Sequence, residues 1–321
     1  MVVNDSRRAA RGPFLVTGAT GFIGANLTRR LVALGEQVHV ILRNQSDTWR
    51  IADLPSGVVR FHHGDLSDGP RLVEIIQEIK PRVVFHCAAY GVASADTDVS
   101  QIFDTNVLGT IKLMDALSTV EFDVFVNTGS FFEYGNQSLP ATEDADPKPL
   151  SAYGAAKLAS TLYCQMKARS EDYPVVTLRL FYPYGPFEGP SRLIPAVIRS
   201  CLERRELALT SGTQYRDFIF VGDVVDAYLK AAETLGLGGQ VFNIGSGTGR
   251  RLREVIEHLI SVLGSHTAPH WGSLPARKFD VVRCDADVTH ARQVLGWSPK
   301  VSLSDGLSET AAWHESILNR L

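Results

Sequence analysis

Gly18-Ala-Thr-Gly21-Phe-Ile-Gly24 closes the apolar run Pro13-Phe-Leu-Val-Thr17 and leads into residues 25–34, where alanine and leucine recur. The run reads as a strand and the stretch after it as a helix, which puts three glycines spaced GxxGxxG at a strand-to-helix turn. Glycine lets the backbone turn tightly and approach a pyrophosphate, while the free N–H groups and positive dipole end of the new helix receive its charge. Glycines at surface turns often serve only the turn. Here strand, spacing and helix agree, so Gly18, Thr20, Gly21, Phe22, Ile23 and Gly24 are read as a dinucleotide-binding turn.

Outward from this turn, short apolar runs alternate with helical patterns. Residues 37–42, 58–62, 82–88, 122–128 and 175–181 predict strands, and residues 24–34, 68–79, 98–117 and 152–170 predict helices between them. Such alternation predicts an α/β fold, a Rossmann-type doubly wound parallel sheet. After Phe181 the rhythm loosens through the proline- and glycine-rich 182–190 into helices expected at 191–203, 223–235 and 252–263, which predicts a smaller C-terminal substrate lobe. The expected organisation is a loose tail over 1–12, a nucleotide-binding domain over 13–181 and a substrate lobe over 182–321, with 240–244 able to return to the main sheet.

With 321 residues, 45% hydrophobic and 21% charged, the chain can bury a large core and lacks the bias of a disordered sequence. A net charge of −3 without a long basic run argues against nucleic acid as a partner and leaves room for anionic small molecules held by local arginines. No apolar stretch is long enough to span a membrane, and Arg7, Arg8 and Arg11 lack the apolar neighbour of a signal peptide. Cys87, Cys164, Cys201 and Cys284 are scattered without CxxC pairs or a histidine at ligand spacing, so no metal and no disulfide framework are expected. A cytoplasmic location is the default expectation.

Tyr153-Gly-Ala-Ala-Lys157 places a phenol and an ammonium four residues apart, one above the other on a helix face. A tyrosine pKa of about 10 is too high for a base at neutral pH, and a neighbouring cation is expected to bring it down. By itself the spacing also suits a packed tyrosine and a solvated lysine. Behind a nucleotide turn and the fifth expected strand, it reads as catalytic.

Together these residues resemble the extended short-chain dehydrogenase/reductase family, in its branch acting on nucleotide sugars, from Phe14 to Leu307. Gly64-Asp65-Leu66 is similar to the family's adenine-contacting loop, His86-Cys-Ala88-Ala89 to the strand end along the cofactor, and residues 106–110 to its NxxGT helix. Thr128-Gly-Ser130 ends the fifth strand where the family carries its catalytic Ser or Thr. The segments at 216–221, 243–247 and 295–299 match in order. The resemblance implies that Ser130 bonds the reacting oxygen, Tyr153 moves its proton, Lys157 holds the nicotinamide ribose, and Arg216 and Arg277 hold the nucleotide diphosphate. Arginine forks suit phosphate oxygens, although ion pairs with Asp217 and Asp280 would also explain them. Asp65 would equally cap its own turn.

Departures from the family narrow the chemistry. Its 4,6-dehydratases carry an Asp-Glu pair after the catalytic Ser/Thr, because eliminating water needs a further acid and base; here Phe131-Phe132 follow Ser130, which excludes that reaction. The run Ser130-Phe-Phe-Glu133-Tyr-Gly135 resembles that of 4-keto-6-deoxymannose reductases, with Glu133 either a substrate contact or a cap. Tyr182 stands where relatives have an asparagine that contacts the sugar or pyrophosphate. At the end of the second strand, Arg43-Asn44 replace the carboxylate that selects NAD, and with Arg50 in reach NADP(H) is expected ahead of NAD(H). The leading expectation is therefore NADPH-dependent reduction of the 4-keto group of a nucleotide-activated 4-keto-6-deoxyhexose. The alternative is a nucleotide-sugar 4-epimerase with tightly bound NAD(P), and a non-catalytic NADP(H) sensor stands third. Ala155, Leu158, Ala159, Leu162 and Met166 form an apolar stripe, part of which is expected to pack on the sheet, and a homodimer through 98–117 and 152–170 is expected.

Overall fold

The computed structural model describes residues 12–92, 98–136, 140–275, 281–283 and 285–318. Arg277, Asp280, Cys284 and the N-terminal tail lie outside these. The first half lays down β1 (Phe14–Thr17), α1 (Phe22–Ala33), β2 (Val38–Leu42), β3 (Val59–His63), α2 (Gly69–Ile79), β4 (Val83–His86), α3 (Val99–Phe103), α4 (Gly109–Leu117), β5 (Val124–Ser130), α5 (Ala152–Glu171) and β6 (Val175–Leu180). The second adds β7 (Tyr182–Tyr184), α6 (Leu193–Leu202), β8 (Leu207–Leu209), β9 (Tyr215–Arg216), β10 (Phe218–Phe220), α7 (Val221–Glu233), β11 (Val241–Ile244), β12 (Arg250–Arg251), α8 (Leu252–Val262), β13 (Pro269–Trp271) and α9 (Leu303–Leu318).

Seven strands form one parallel sheet in the order β11-β6-β5-β4-β1-β2-β3, with residues 241–244 beside β6. The central strands β1 and β4 are near-continuous apolar runs because helices cover both faces, whereas the edge strand β3 carries Arg60, His62 and His63. Phe14 and Val16 of β1 join Phe85 and Val126 in the core shared with α1 and α7, whereas Leu15 joins Val84 and Phe125 in the core shared with α2, α4 and α5. A third apolar cluster, built on Ile194, Val197, Ile256, Leu259 and Leu307, lies among α6, α8 and α9.

Strand order reverses at β1, since the chain first adds β2 and β3 on one side and then crosses to β4 on the other. The ends of β1 and β4 therefore part around a crevice of the kind in which open α/β sheets bind ligands. Besides the short strands β7–β10, β12 and β13 of the second half, which the sequence reading did not expect, two helical elements differ from expectation. The helix expected over 98–117 is broken by a π-helical turn at Asp104–Leu108, inside which buried Asn106 donates to the carbonyls of Tyr90 (2.7 Å) and Ile102 (2.8 Å). The helix α9 had no expected counterpart. Gly306 blurs its signal, and packing demands that glycine, since a Cβ there would lie 2.2 Å from the Tyr184 hydroxyl.

Candidate functional site

The glycine turn is built for a close approach. Gly18 has φ +68°, and a Cβ on it would stand 2.5 Å from the Ala88 nitrogen and 2.6 Å from the Cys87 carbonyl carbon. A Cβ on Gly24 would meet the Gly18 oxygen at 2.2 Å. At the N-terminus of α1, Gly21 supplies no side-chain cap and the first turn holds no acid, so Phe22, Ile23 and Gly24 begin the helix with N–H groups suited to an anion. This cradle fits a dinucleotide pyrophosphate. Ala88 approaches the Thr17 hydroxyl at 3.4 Å, and Ala89 follows it along the crevice.

At the far end of the crevice, Arg43 and Asn44 are exposed just beyond β2. Asp65 accepts from the Ser67 N–H at 2.8 Å, as the turn-capping alternative requires. Against the cost of burial, Ser67, Arg43 and Lys112 hold its carboxyl below the usual range. Leu66 packs against Gly109 of α4, where a Cβ would come within 3.0 Å. Arg50 corrects the expectation that it joins Arg43. Its Nη1 donates to the Thr20 carbonyl (3.0 Å) and its Nε to the Phe187 carbonyl (2.7 Å), so it ties the glycine turn to the loop after β7. Asn26 reinforces that tie with a 3.0 Å bond to the Pro186 carbonyl.

A buried polar chain fixes the floor. Nδ1 of His86 meets the Thr17 hydroxyl at 2.7 Å and its Nε2 the Thr110 hydroxyl at 3.0 Å. Burial, with Lys157 adding to it, pushes His86 down to about 3, so the ring is neutral. Thr128 donates to the His86 carbonyl at 2.7 Å, joining β5 to β4.

Ser130, Tyr153 and Lys157 come together on this floor. Ser130 ends β5 and Tyr153 lies in the first turn of α5, where Ser130 favours the ionised form of the phenol. The α5 start is fixed by Ser151, whose hydroxyl accepts from the Gly154 N–H at 3.1 Å. One turn on, Lys157 is 1% exposed. Burial pushes the Tyr153 phenol well above its ordinary range and Glu133 adds to the rise, while Ser130 and Arg192 oppose it. This reverses the expectation of a lowered phenol, because desolvation outweighs the nearby cations. Burial also lowers the Lys157 ammonium, with Glu133 opposing.

Glu133 does not open toward the crevice as a substrate contact would. It is fully buried, and its carboxylate takes the Ser130 N–H (2.8 Å) and Nε of Arg179 (2.7 Å). Tyr182 and the phenylalanine pair turn out to be one feature: the Tyr182 ring lies 4.6 Å from Phe131, and Phe132 meets Tyr153 edge-on at 5.9 Å. The Arg216 guanidinium sits 5.0 Å above Tyr182, with Nη1 bonded to the carbonyls of Tyr215 (2.7 Å) and Val281 (2.6 Å). Asp217 is buried, accepting from the backbone of Ser246, Gly247 and Ala286. Arg277 lies outside the described residues.

Sequence reasoning missed Arg179 as the partner of Glu133, and Glu188 with Arg192 beside the site. Glu188 is buried, raised to about 8 by desolvation, and 3.7 Å from Nε of Arg192. An acid inside a proline- and glycine-rich loop was the only signal available for it. The stripe on α5 also differs from expectation. Gly154, Ala156, Lys157, Ser160, Thr161, Cys164 and Lys167 are the buried residues of α5, while Leu162 and Met166 are 50% and 39% exposed.

The profile of the NAD dependent epimerase/dehydratase family matches residues 14–245. A UDP-glucose 4-epimerase of Mycolicibacterium smegmatis is 33% identical over 92% of this chain and 96% of its own. A dTDP-glucose 4,6-dehydratase of Streptomyces griseus is 32% identical over 94% and 93%. Among solved structures, UDP-glucuronic acid 4-epimerase from Bacillus cereus, in complex with UDP-glucuronic acid and NAD, superimposes with a TM-score of 0.85 at 30% identity, covering 95% of this chain and 99% of that one. Fold, crevice and sequence agree, and the chain belongs to the NAD-dependent epimerase/dehydratase family of extended short-chain dehydrogenases.

Proposed function

We propose that this protein is a nucleotide-sugar 4-epimerase that retains its nicotinamide dinucleotide between turnovers. The observation that carries the reading is the placement of Ser130, at the end of β5, with Tyr153 and buried Lys157 at the start of α5, bounded by Phe131 and Phe132, which offer no proton. Eliminating water from a sugar needs a further acid and base, so this wall disfavours the dehydratase chemistry named for some relatives. The mycobacterial and Bacillus relatives, both named as 4-epimerases, support the choice over the 4-keto reductase expected first.

Gly18, Gly21 and the first turn of α1 would hold the cofactor pyrophosphate, Asp65 and Leu66 the adenosine end, and Ala88, Ala89 and Lys157 the nicotinamide half. When bound, the nicotinamide supplies hydride acceptance and return, and in its oxidised form a positive charge beside the phenol. Tyr153 takes the proton of the sugar 4-hydroxyl and later returns it to the same oxygen when C4 is reduced from its opposite face. Ser130 hydrogen-bonds the same oxygen in both halves of the reaction. Arg216 and Arg277 hold the diphosphate, which lets the sugar turn over without leaving the site, and Tyr182 walls the pocket.

One observation favours a second reading. Arg43, exposed beyond β2, suits a 2′-phosphate, and an exchanging NADPH would fit the 4-keto reductase. The exposed Leu162 and Met166, with Val99, Phe103 and Leu108 also exposed on the neighbouring 99–108 segment, support a homodimer through this face. The test is incubation with UDP-glucose, UDP-glucuronate and dTDP-glucose without added cofactor, with chromatographic separation of C4 epimers. A C4 epimer formed by the wild type and lost in Tyr153→Phe supports the epimerase. Turnover only of 4-keto sugars with stoichiometric NADPH oxidation overturns it in favour of the reductase.

A further inference from the structure

Glu133 is the carboxylate closest in sequence to the reacting groups, and its two oxygens are spent on protein. Oε1 closes a capping box on Ser130, and Oε2 meets Arg179, whose Nη1 continues to the Tyr134 hydroxyl (2.9 Å) and the Glu143 carbonyl (3.2 Å). Tyr134 in turn donates to Asn243 Oδ1 at 2.7 Å. The C-terminal ends of β5, β6 and β11 are thus joined below the catalytic serine. Space is reserved for the carboxylate, because a Cβ on Gly129 would lie 2.8 Å from Glu133 Oε1.

Stability alone explains such a pair poorly, since desolvating two charges costs about as much as their attraction returns. We infer that the buried Glu133–Arg179 pair is a positioning device for catalysis, in which Glu133 fixes the Ser130 backbone and supplies the negative charge against which Lys157 and Tyr153 operate. The inference rests on the catalytic reading of those three residues. Its geometric half follows from the turn 131–133. This turn starts at the Glu133-bound Ser130, and α5 rests on it so closely that a Cβ on Gly154 would come within 2.4 Å of the Phe132 carbonyl oxygen. Moving the turn moves Ser130 and Tyr153 together.

The electrostatic half follows from the charges around the pair. Glu133 favours the ammonium of Lys157 and the neutral form of Tyr153. From β4, His86 is held neutral and burial keeps the Cys87 thiol protonated; from α5, Cys164 is protonated for the same reason. Arg192, at the N-cap of α6, acts on Tyr153 in the opposite sense to Glu133, Arg179 of β6 is held charged against Glu133, and Tyr134 bears on Arg179 while Glu143 bears on Tyr134. Glu133 is therefore the charge that opposes the burial of Lys157. Removing it lowers both the Tyr153 and the Lys157 titrations.

The experiment compares wild type, Glu133→Gln, Glu133→Asp and Glu133→Gln/Arg179→Gln, the last removing the cation that the single substitution strands. In cofactor-loaded protein, Tyr153 ionisation is followed by ultraviolet difference titration of each variant against its own Tyr153→Phe counterpart. The Glu133→Gln transition, in the single or the double variant, is expected about one pH unit or more below wild type. Glu133→Asp is expected to keep the wild-type transition while kcat falls about ten-fold or more through the shortened reach to Ser130. The titration needs no substrate, so a failure of the epimerase reading leaves it intact. Coincident titrations in folded Glu133→Gln overturn the inference. So does failure of both Gln variants to fold while Glu133→Asp keeps the wild-type kcat, which assigns the pair to stability alone.

Discussion

Replacing Gly18 by alanine tests whether the crevice depends on contact between two strand ends. Gly18 and Gly35 both have positive φ, +68° and +82°, but a Cβ on Gly35 meets nothing within 4 Å. Gly35→Ala therefore carries only the left-handed backbone term of about 1–2 kcal/mol, offset in part by about 0.4–1 kcal/mol from the stiffer unfolded chain. Gly18→Ala carries the same terms and also sets its methyl 2.5 Å from the Ala88 nitrogen, about 1 Å inside ordinary contact. The neighbour is backbone at the end of a central strand and cannot swing aside, so an overpacking cost of about 1–3 kcal/mol is added. At about 2–4 °C per kcal/mol for a large domain, Gly18→Ala should melt several degrees below Gly35→Ala. Prising β1 from β4 should also weaken NAD+ binding, by about ten-fold per 1.4 kcal/mol lost. Calorimetric melting and titration calorimetry on both variants make the measurement. Equal melting temperatures with equal NAD+ affinities would refute the close-approach argument.

Tyr153→Phe should lower kcat by about 10²–10⁴-fold with the fold intact; steady-state kinetics and circular dichroism on the same sample decide it, and a kcat near wild type would move the proton transfer elsewhere. Leu162→Glu should convert a dimer to monomers in light scattering, and an unaltered dimer in the folded variant would move the interface. Acid should destabilise the chain through the His39–His62 pair, whose ring nitrogens lie 2.9 Å apart between β2 and β3. Burial first, then His62, holds His39 down to about 4, and burial also lowers His62. These groups bind protons more readily in the unfolded chain, so their stability is complete above about pH 6.5 and is lost as pH falls through 4. Melting temperature against pH should therefore fall less steeply in His39→Asn than in wild type, and parallel curves would contradict the assignment.

Much of this was legible in the sequence because parallel strands covered on both faces are bare apolar runs, and because the glycine turn needs a residue type that nothing else explains. The placement of Tyr153 and Lys157 one turn apart on α5 was legible as a fixed helical offset. The direction of the Tyr153 titration was not, since it depends on desolvation and on Glu133, which the spacing does not report. Arg50 was misread because its choice between an extra phosphate and the carbonyls of Thr20 and Phe187 is set by a loop more than 130 positions away in the chain. The kinship of Phe131 with Tyr182 was hidden too, as two separate departures that touch only after β5 and β7 are placed.

Following deuterium placed at C4 of a nucleotide hexose tests the central claim most directly. The account predicts that the protein as purified, with no cofactor added, forms the C4 epimer and that the product keeps the deuterium at C4, because hydride leaves and returns on one retained cofactor. A product in which C4 deuterium has been exchanged for hydrogen from added NADPH, or one that has lost water, would contradict it.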